Sequence, residues 1–201
     1  SLFAFSKKNN IANNNSRGFY VGADNNILTN KTADNSYQGF VISSDLNLLT
    51  SNVVRNSSDA GFAIYYSFLN IITSNIIINN AVGIDLQSSS QNYIFNNYFN
   101  NSINAKDDFG VFDINNWNTT KQNGTNIVGG PFLGGNFWHD YNGSDLDNDD
   151  LGDTKLPYNS SGTILIGGDY LPLVRGGDLD GDGIPNFQDN CPFISNLNQS
   201  D

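Results

Sequence analysis

Gly18-Phe-Tyr-Val, Gly39-Phe-Val-Ile, Gly61-Phe-Ala-Ile and Gly83-Ile-Asp-Leu are one phrase written four times, with the glycines 21, 22 and 22 residues apart. A second series, Asn30, Asn52, Asn75 and Asn97, runs out of phase with it at spacings of 22, 23 and 22. A fixed period of this length means one supersecondary unit stacked on copies of itself. Ile, Val, Phe and Tyr recur in short runs broken by Asn, Ser and Gly, and never hold an i, i+3, i+4, i+7 spacing. The unit is therefore built of short strands, not helices.

Three short strands and three turns use about 22 residues, so each repeat predicts one coil of an all-β, right-handed parallel β-helix. Coils stack at the ordinary strand spacing of roughly 4.8 Å. Phe19, Phe40, Phe62 and Ile84 then form one internal column, and Val21, Ile42, Ile64 and Leu86 another. The Asn series predicts an internal ladder, beginning at Asn30, in which each side-chain amide bonds to the next. Asn tolerates left-handed backbone angles, and Gly is expected to supply the positive-φ corners.

The coils read as 1–24, 26–45, 47–67, 70–89 and 92–113, and the period fails near Asp107. Residues 115–130 read as a last, decorated coil, so the β-helix is assigned to 1–130. A solenoid must hide its final apolar cross-section. Pro131-Phe-Leu-Gly-Gly-Asn-Phe-Trp-His-Asp-Tyr supplies the bulk for a cap over 131–176. Trp117 and Trp138 are expected to pack that cap rather than to serve as sugar-stacking platforms. His139 beside Asp140 lacks a second His, Cys or Glu nearby in sequence, which argues against a catalytic or metal role. The chain opens in mid-pattern, and Ser1-Leu-Phe-Ala-Phe-Ser lacks the basic start and long apolar run of a signal peptide. Upstream coils or a cap are expected before Ser1.

The net charge is −11, and all twenty acidic residues are Asp. That skew favours turns and cation-binding loops over charged helices. An acidic surface without clustered Lys and Arg disfavours nucleic acid as a partner. No apolar run approaches the roughly 18 residues of a membrane helix, so no membrane insertion is expected. Cys191 is the single cysteine and cannot close an intrachain disulfide.

The chemistry gathers in two acidic loops. Asp145, Asp147, Asp149 and Asp153 stand at positions 1, 3, 5 and 9 of the first. Asp178, Asp180, Asp182, Asn186 and Asp189 take positions 1, 3, 5, 9 and 12 of the second, with Gly183 at 6 and the carbonyl of Ile184 at 7. Alternate oxygens on a tight loop converge on one hard cation, and Ca²⁺ suits such an irregular oxygen cage better than Mg²⁺. The first loop departs from the pattern in carrying Asp150 where Gly is expected.

Residues 9–175 resemble the NosD-like parallel β-helix domains common in archaeal surface and secreted proteins. The resemblance rests on the Asn-rich coils, Asn116-Trp-Asn-Thr-Thr-Lys, Gly129-Gly-Pro-Phe-Leu-Gly-Gly-Asn-Phe-Trp, Gly152-Asp-Thr and Asp169-Tyr-Leu-Pro-Leu. Residues 178–201 resemble a thrombospondin type 3 repeat through Asp178-x-Asp-x-Asp-Gly, Asp189-Asn-Cys-Pro and Asn198-Gln-Ser-Asp. The third unit is accordingly set at 177–201. The resemblance implies an extracellular or cell-surface protein, a calcium-bound linker, and pairing of Cys191 with a neighbouring repeat. The NosD name implies copper, whereas copper sites want His, Met or Cys clusters, and Met is absent.

Three functions compete. A non-enzymatic rigid rod with a calcium-stabilised joint, stacking end to end on neighbouring domains or subunits, serves an envelope, filament or adhesion role. A carbohydrate-binding module would use Tyr37, Tyr65 or Tyr93. A polysaccharide-active enzyme would use Asp24 and Asp45, six residues after successive glycines, with Ser67 and Ser89 continuing their column. Among the many sequons, Asn118, Asn123 and Asn159 are the exposed candidates for glycosylation, whereas Asn30 belongs to the ladder.

Overall fold

The computed structural model describes residues 9–108, 114–174 and Asn198. The first coil is β1 (Asn10–Asn13), β2 (Arg17–Val21) and β3 (Ile27–Thr29), and the second is β4 (Lys31–Asp34), β5 (Gln38–Ile42) and β6 (Leu48–Thr50). The third is β7 (Val53–Arg55), β8 (Ala60–Tyr65) and β9 (Ile71–Thr73), and the fourth is β10 (Ile76–Ile78), β11 (Val82–Gln87) and β12 (Tyr93–Phe95). The fifth opens with β13 (Tyr98–Asn100) and β14 (Ile103–Asp107). Equivalent strands pair in parallel into three sheets: β1-β4-β7-β10-β13, β2-β5-β8-β11-β14 and β3-β6-β9-β12. This is the parallel β-helix read from the glycine and asparagine periods.

Both expected columns stand in register. Phe19 pairs with Phe40, Phe40 with Phe62 and Phe62 with Ile84, and Val21, Ile42, Ile64 and Leu86 run beside them. The Phe rings stack with centroids 4.9 and 4.8 Å apart, so the rung spacing of the sheet is also an aromatic stacking distance. The glycines work differently from expectation. Gly18, Gly39, Gly61 and Gly83 lie within or flank strand pairs and take no positive φ. They are small because a Cβ on Gly61 would stand 2.7 Å from the Gly83 carbonyl oxygen, and one on Gly18 2.5 Å from that of Gly39. The left-handed corners fall instead to columns such as Asn14, Asn35, Asn56 and Asn79, with φ between 51 and 58°.

The internal asparagine ladder exists, with one correction. Asn52, Asn75, Asn97 and Asn136 each sit at 0 % exposure. The side-chain carbonyls of Asn75, Asn97 and Asn136 each accept both the backbone N–H and the amide N–H of the preceding asparagine, as between Asn75 and Asn97 at 3.0 and 2.9 Å. Asn30 is not in it. The register places Lys31 opposite Asn52, and Lys31 N–H bonds to Asn52 Oδ1 at 3.0 Å. Asn30 is the exposed left-handed corner before it, because this coil is two residues shorter than the next, 21 from Lys31 to Asn52 against 23 from Asn52 to Asn75. Two further ladders were hidden in the sequence: Asn26, Asn47, Asn70, Asn92 and Asn115, and Ser57, Asn80, Asn101 and Asn104.

The end of the helix is closed by returning chain. After Trp117 the fifth coil makes an excursion carrying the antiparallel pair β15 (Gln122–Asn123) and β16 (Phe132–Leu133). It rejoins the first sheet as β17 (Phe137–Trp138), parallel to β13. Ile164 then bridges to Asp107 and Leu173 to Phe137, adding a last rung to two sheets. Trp117 and Trp138 are both 1 % exposed and pack this cap, and Trp138 stacks between Phe99 and Tyr158 at 4.4 and 4.6 Å. Each ladder ends on a carboxylate: Asn136 on Asp169, Asn115 on Asp107 and Asn104 on Asp140.

Candidate cation site

Beyond β17 the chain turns through Tyr141, whose hydroxyl donates to the Thr154 carbonyl at 2.5 Å. That bond and Asp153 N–H to Ser144 O at 2.8 Å close the neck of a loop. Leu151, 2 % exposed, anchors the far side against Val128, Phe137 and Leu173. Between these points Asp145 folds the backbone around itself. Its Oδ1 accepts Asn148 N–H at 2.8 Å and its Oδ2 accepts Asp150 N–H at 2.8 Å. Asn148 and Asp150 take left-handed angles of 60 and 64°. Asp150 thus adopts the conformation expected of a glycine at that position, which a short polar side chain tolerates.

The turn brings Asp145, Asp147 and Asp149 together, with one carboxylate oxygen of each within 4.8 Å of the others. Asp153, expected as a fourth ligand, gives one oxygen to Leu146 N–H at 2.7 Å and falls outside that group. Burial and the charges of Asp149 and Asp153 push the Asp147 carboxyl above its ordinary range. Burial also pushes Asp149 up, but the Lys121 ammonium and the Leu151 N–H outweigh it and hold that carboxyl below its ordinary value. Lys121 forms an ion pair with Asp149 and sits 4.4 Å from the Phe132 ring centroid. Three converging carboxylates with one neighbouring ammonium retain enough negative charge to hold a divalent, oxygen-seeking cation. Asp178, Asp180, Asp182, Ile184, Asn186 and Asp189 of the second loop, and Cys191, lie outside the described residues.

The carboxylates proposed for catalysis are used by the backbone. Asp24 Oδ1 accepts Asp45 N–H and Asp45 Oδ1 accepts Phe68 N–H, each at 2.8 Å. Their column continues to Phe68 and Ser90, which bridge each other. Ser67 and Ser89 belong to the neighbouring row with Ser44, where each hydroxyl bonds a carbonyl one coil back. His139 is exposed, its Nδ1 3.2 Å from the Asn104 amide. It lines a cleft of about 390 Å³ with Trp138, Tyr141 and Gly143, and among the described residues no carboxylate lines that cleft.

Of the three tyrosines, Tyr37 and Tyr65 lie together beside the second sheet, whereas Tyr93 faces out from the third. Gln38 donates to Asp59 at 2.8 Å and to the Tyr65 hydroxyl at 2.7 Å. Tyr65 packs on an outward cluster of Val41, Ala60, Ala63 and Val82. Burial, above all, and the nearby Asp59 and Asp85 push its phenol above the ordinary value. Asn123 and Asn159 are exposed, as a glycan acceptor must be. Asn118 is half-buried and its Oδ1 accepts Tyr170 N–H at 3.2 Å, so it departs from the exposure expected of it. Asn30, assigned to the ladder by its spacing, is the exposed one.

Residues 4–143 match the family described as periplasmic copper-binding protein (NosD), and residues 176–199 match the thrombospondin type 3 repeat. The first match spans more than half of the chain, so the chain belongs to the NosD family of β-helix proteins. No curated protein and no solved structure matches it. The two matches place the chain outside the cytoplasm and make Ca²⁺ its cation, carried by the type 3 repeat. Among the described residues no helix is long and apolar enough to cross a membrane. The copper of the family's name does not fit this chain. Copper sites want clustered imidazole, thiolate or thioether donors. The chain has one His, one Cys and no Met, and the neighbours of His139 are the amide of Asn104 and the carboxylate of Asp140.

Proposed function

We propose that the chain is a non-catalytic structural module of the cell surface or envelope. It acts as a rigid β-helical rod whose C-terminal joint is stiffened by calcium and which stacks end to end on neighbouring domains or subunits. The observation that carries this reading is the Asp145–Asp147–Asp149 group, built on a loop that Leu151 and Gly152 tie directly to the cap. A cation there neutralises three carboxylates at the point where the rod passes into the type 3 repeat. The engagement of Asp24 and Asp45 by backbone amides argues for the rod and against a hydrolytic pair.

Calorimetric titration with calcium, followed by melting with and without chelator, tests it. About two ions should bind, and chelation should lower the melting temperature, because a ligand that binds only the folded state stabilises it. Asp147→Asn should remove one of the two ions. An unchanged melting curve would reduce both loops to solvated linkers.

A second reading, glycan binding, draws on the Gln38–Asp59–Tyr65 cluster, where hydrogen-bonding groups and an aromatic ring lie over an apolar floor. Retention on a neutral glycan array, lost in Tyr65→Ala, would support it.

A further inference from the structure

The corner between the first and second sheets carries the same residue in all five coils. Asn14, Asn35, Asn56, Asn79 and Asn100 each stand immediately before the column that becomes the Ser57–Asn104 ladder, and all five are exposed. The first four hold left-handed angles of 51–58°, which Asn tolerates. The backbone thus accounts for the asparagines. It does not account for what stands two residues further on. That position is Ser16, Ser58 and Ser102 in the first, third and fifth coils, against Tyr37 and Ala81 in the second and fourth. Between residues 9 and 108 only four asparagines have Ser or Thr two residues on, Asn30 being the fourth, and three of the four fall in this one column.

The fold presents these triplets in a common way. In the third and fifth coils the middle residue turns inward, Ser57 at 3 % and Asn101 at 5 % exposure, so the asparagine and the hydroxyl flank it on the outside. Ser16, Ser58 and Ser102 are exposed, and no described residue bonds to their hydroxyls. Elsewhere in the coils Ser44, Ser67 and Ser89 give theirs to backbone carbonyls. Asn56 donates one of its two amide protons to Asp34 Oδ1 at 2.9 Å.

We propose that Asn14, Asn56 and Asn100 form a file of N-glycan attachment sites along this edge of the rod. Asn-x-Ser with x other than Pro is the acceptor triplet for oligosaccharide transfer, and it has to lie on the surface of a protein exported from the cytoplasm. The two family matches place this chain there. The donor is an oligosaccharide carried on a lipid phosphate. The Asn Nδ2 bonds to the anomeric carbon, the bond from that carbon to the phosphate oxygen breaks, and the lipid phosphate leaves. One amide proton passes to a base of the transferring enzyme. The nitrogen keeps its other proton, so the bond from Asn56 to Asp34 is retained. Alternation sets the spacing. Successive sites are two rungs apart, about 10 Å, whereas a sugar ring with its substituents is broader than one rung. Tyr37 and Ala81 leave bare the coils on which a second glycan would collide with the first. The inference stands independently of the calcium site, of end-to-end stacking, and of Asn123 and Asn159 near the cap.

Peptide mass spectrometry of the protein purified from the cells that make it tests this. The peptides holding Asn14, Asn56 and Asn100 should carry oligosaccharide mass, and those holding Asn35 and Asn79 should not. Ser58→Ala should strip Asn56 alone and leave the melting temperature unchanged, because that exposed hydroxyl bonds to no described residue. Ala81→Ser completes the triplet at Asn79, one rung from each neighbouring site. Asn79 should then gain a glycan only at the expense of Asn56 or Asn100, or gain none. Bare peptides at Asn14, Asn56 and Asn100 overturn the proposal, as does modification confined to Asn123 and Asn159. Single chains of the Ala81→Ser variant bearing glycans on Asn56, Asn79 and Asn100 together, read by intact mass, overturn the two-rung spacing.

Discussion

Asn136 donates its backbone N–H to Oδ2 of Asp169 at 2.7 Å, and the same oxygen accepts the Trp138 indole N–H at 2.8 Å. A repeating ladder of amides has no natural end, since each rung needs the next as acceptor. Asp169 supplies the missing acceptor. Its second oxygen takes Leu171 N–H at 3.0 Å, so the cap and the last rung share one buried carboxylate. Asp107 and Asp140 receive the ends of the other two ladders. Closure of the rod is thus electrostatic as well as apolar.

That arrangement makes stability depend on pH. Burial pushes the Asp169 carboxyl up to about 7 from its ordinary 3.8, against hydrogen bonds from Asn136, Trp138 and Leu171 that favour the charge. Between those values the folded chain holds a proton that the unfolded chain has lost. The contribution is therefore fully present below 3.8 and is lost as pH rises through about 7. Its size is on the order of 4 kcal/mol. Melting temperature should fall from about pH 5 to about pH 8, and Asp169→Asn should flatten that slope. Comparing the two profiles isolates Asp169 from the other carboxylates that burial raises, such as Asp85 and Asp150. A wild-type profile that rises across the window would mean that Asp169 is charged in the fold.

The ladders predict which asparagines matter. Asn75 Oδ1 accepts from Asn52 twice, and its Nδ2 donates to Leu49 O, Thr73 O and Asn97 Oδ1. Asn75→Ala leaves all of these buried groups without that partner and should cost about 4 kcal/mol in urea unfolding. Asn30→Gly keeps the left-handed corner and should stay within about 0.5 kcal/mol. Equal losses at the two positions would return Asn30 to the ladder.

What could be read from the residues follows from how local each signal is. The Phe19–Phe40–Phe62 column and the Asn52–Asn75–Asn97 rail declare themselves through a near-constant period. The Asn26–Asn115 and Ser57–Asn104 ladders do not, because 35 asparagines offer many false rails and coil lengths vary by a residue or two. The same variation misplaced Asn30. The glycine phrase marked the right columns for the wrong reason, since a corner and a close approach of neighbouring carbonyls both demand a missing Cβ. Asp145, Asp147 and Asp149 were legible because one turn brings them together. Asp169 was not: it meets Asn136 only after the chain has gone out through the acidic loop and returned. Lys121 reaches Asp149 by a similar return.

That pairing yields a test at the candidate cation site. The Lys121 ammonium competes with any cation for Asp149 and adds a like charge beside it. Lys121→Gln should therefore raise the calcium affinity of the first loop about two- to fivefold, the scale of an exposed ion pair. The gain should shrink at high salt, because screening weakens interactions between exposed charges. In chelator the same variant should melt lower than wild type, since the carboxylates then repel one another without the ammonium. The two shifts must have opposite signs, and calorimetric titration with paired melts reads both. A variant that binds calcium less tightly would make Lys121 a support of the loop rather than a competitor within it.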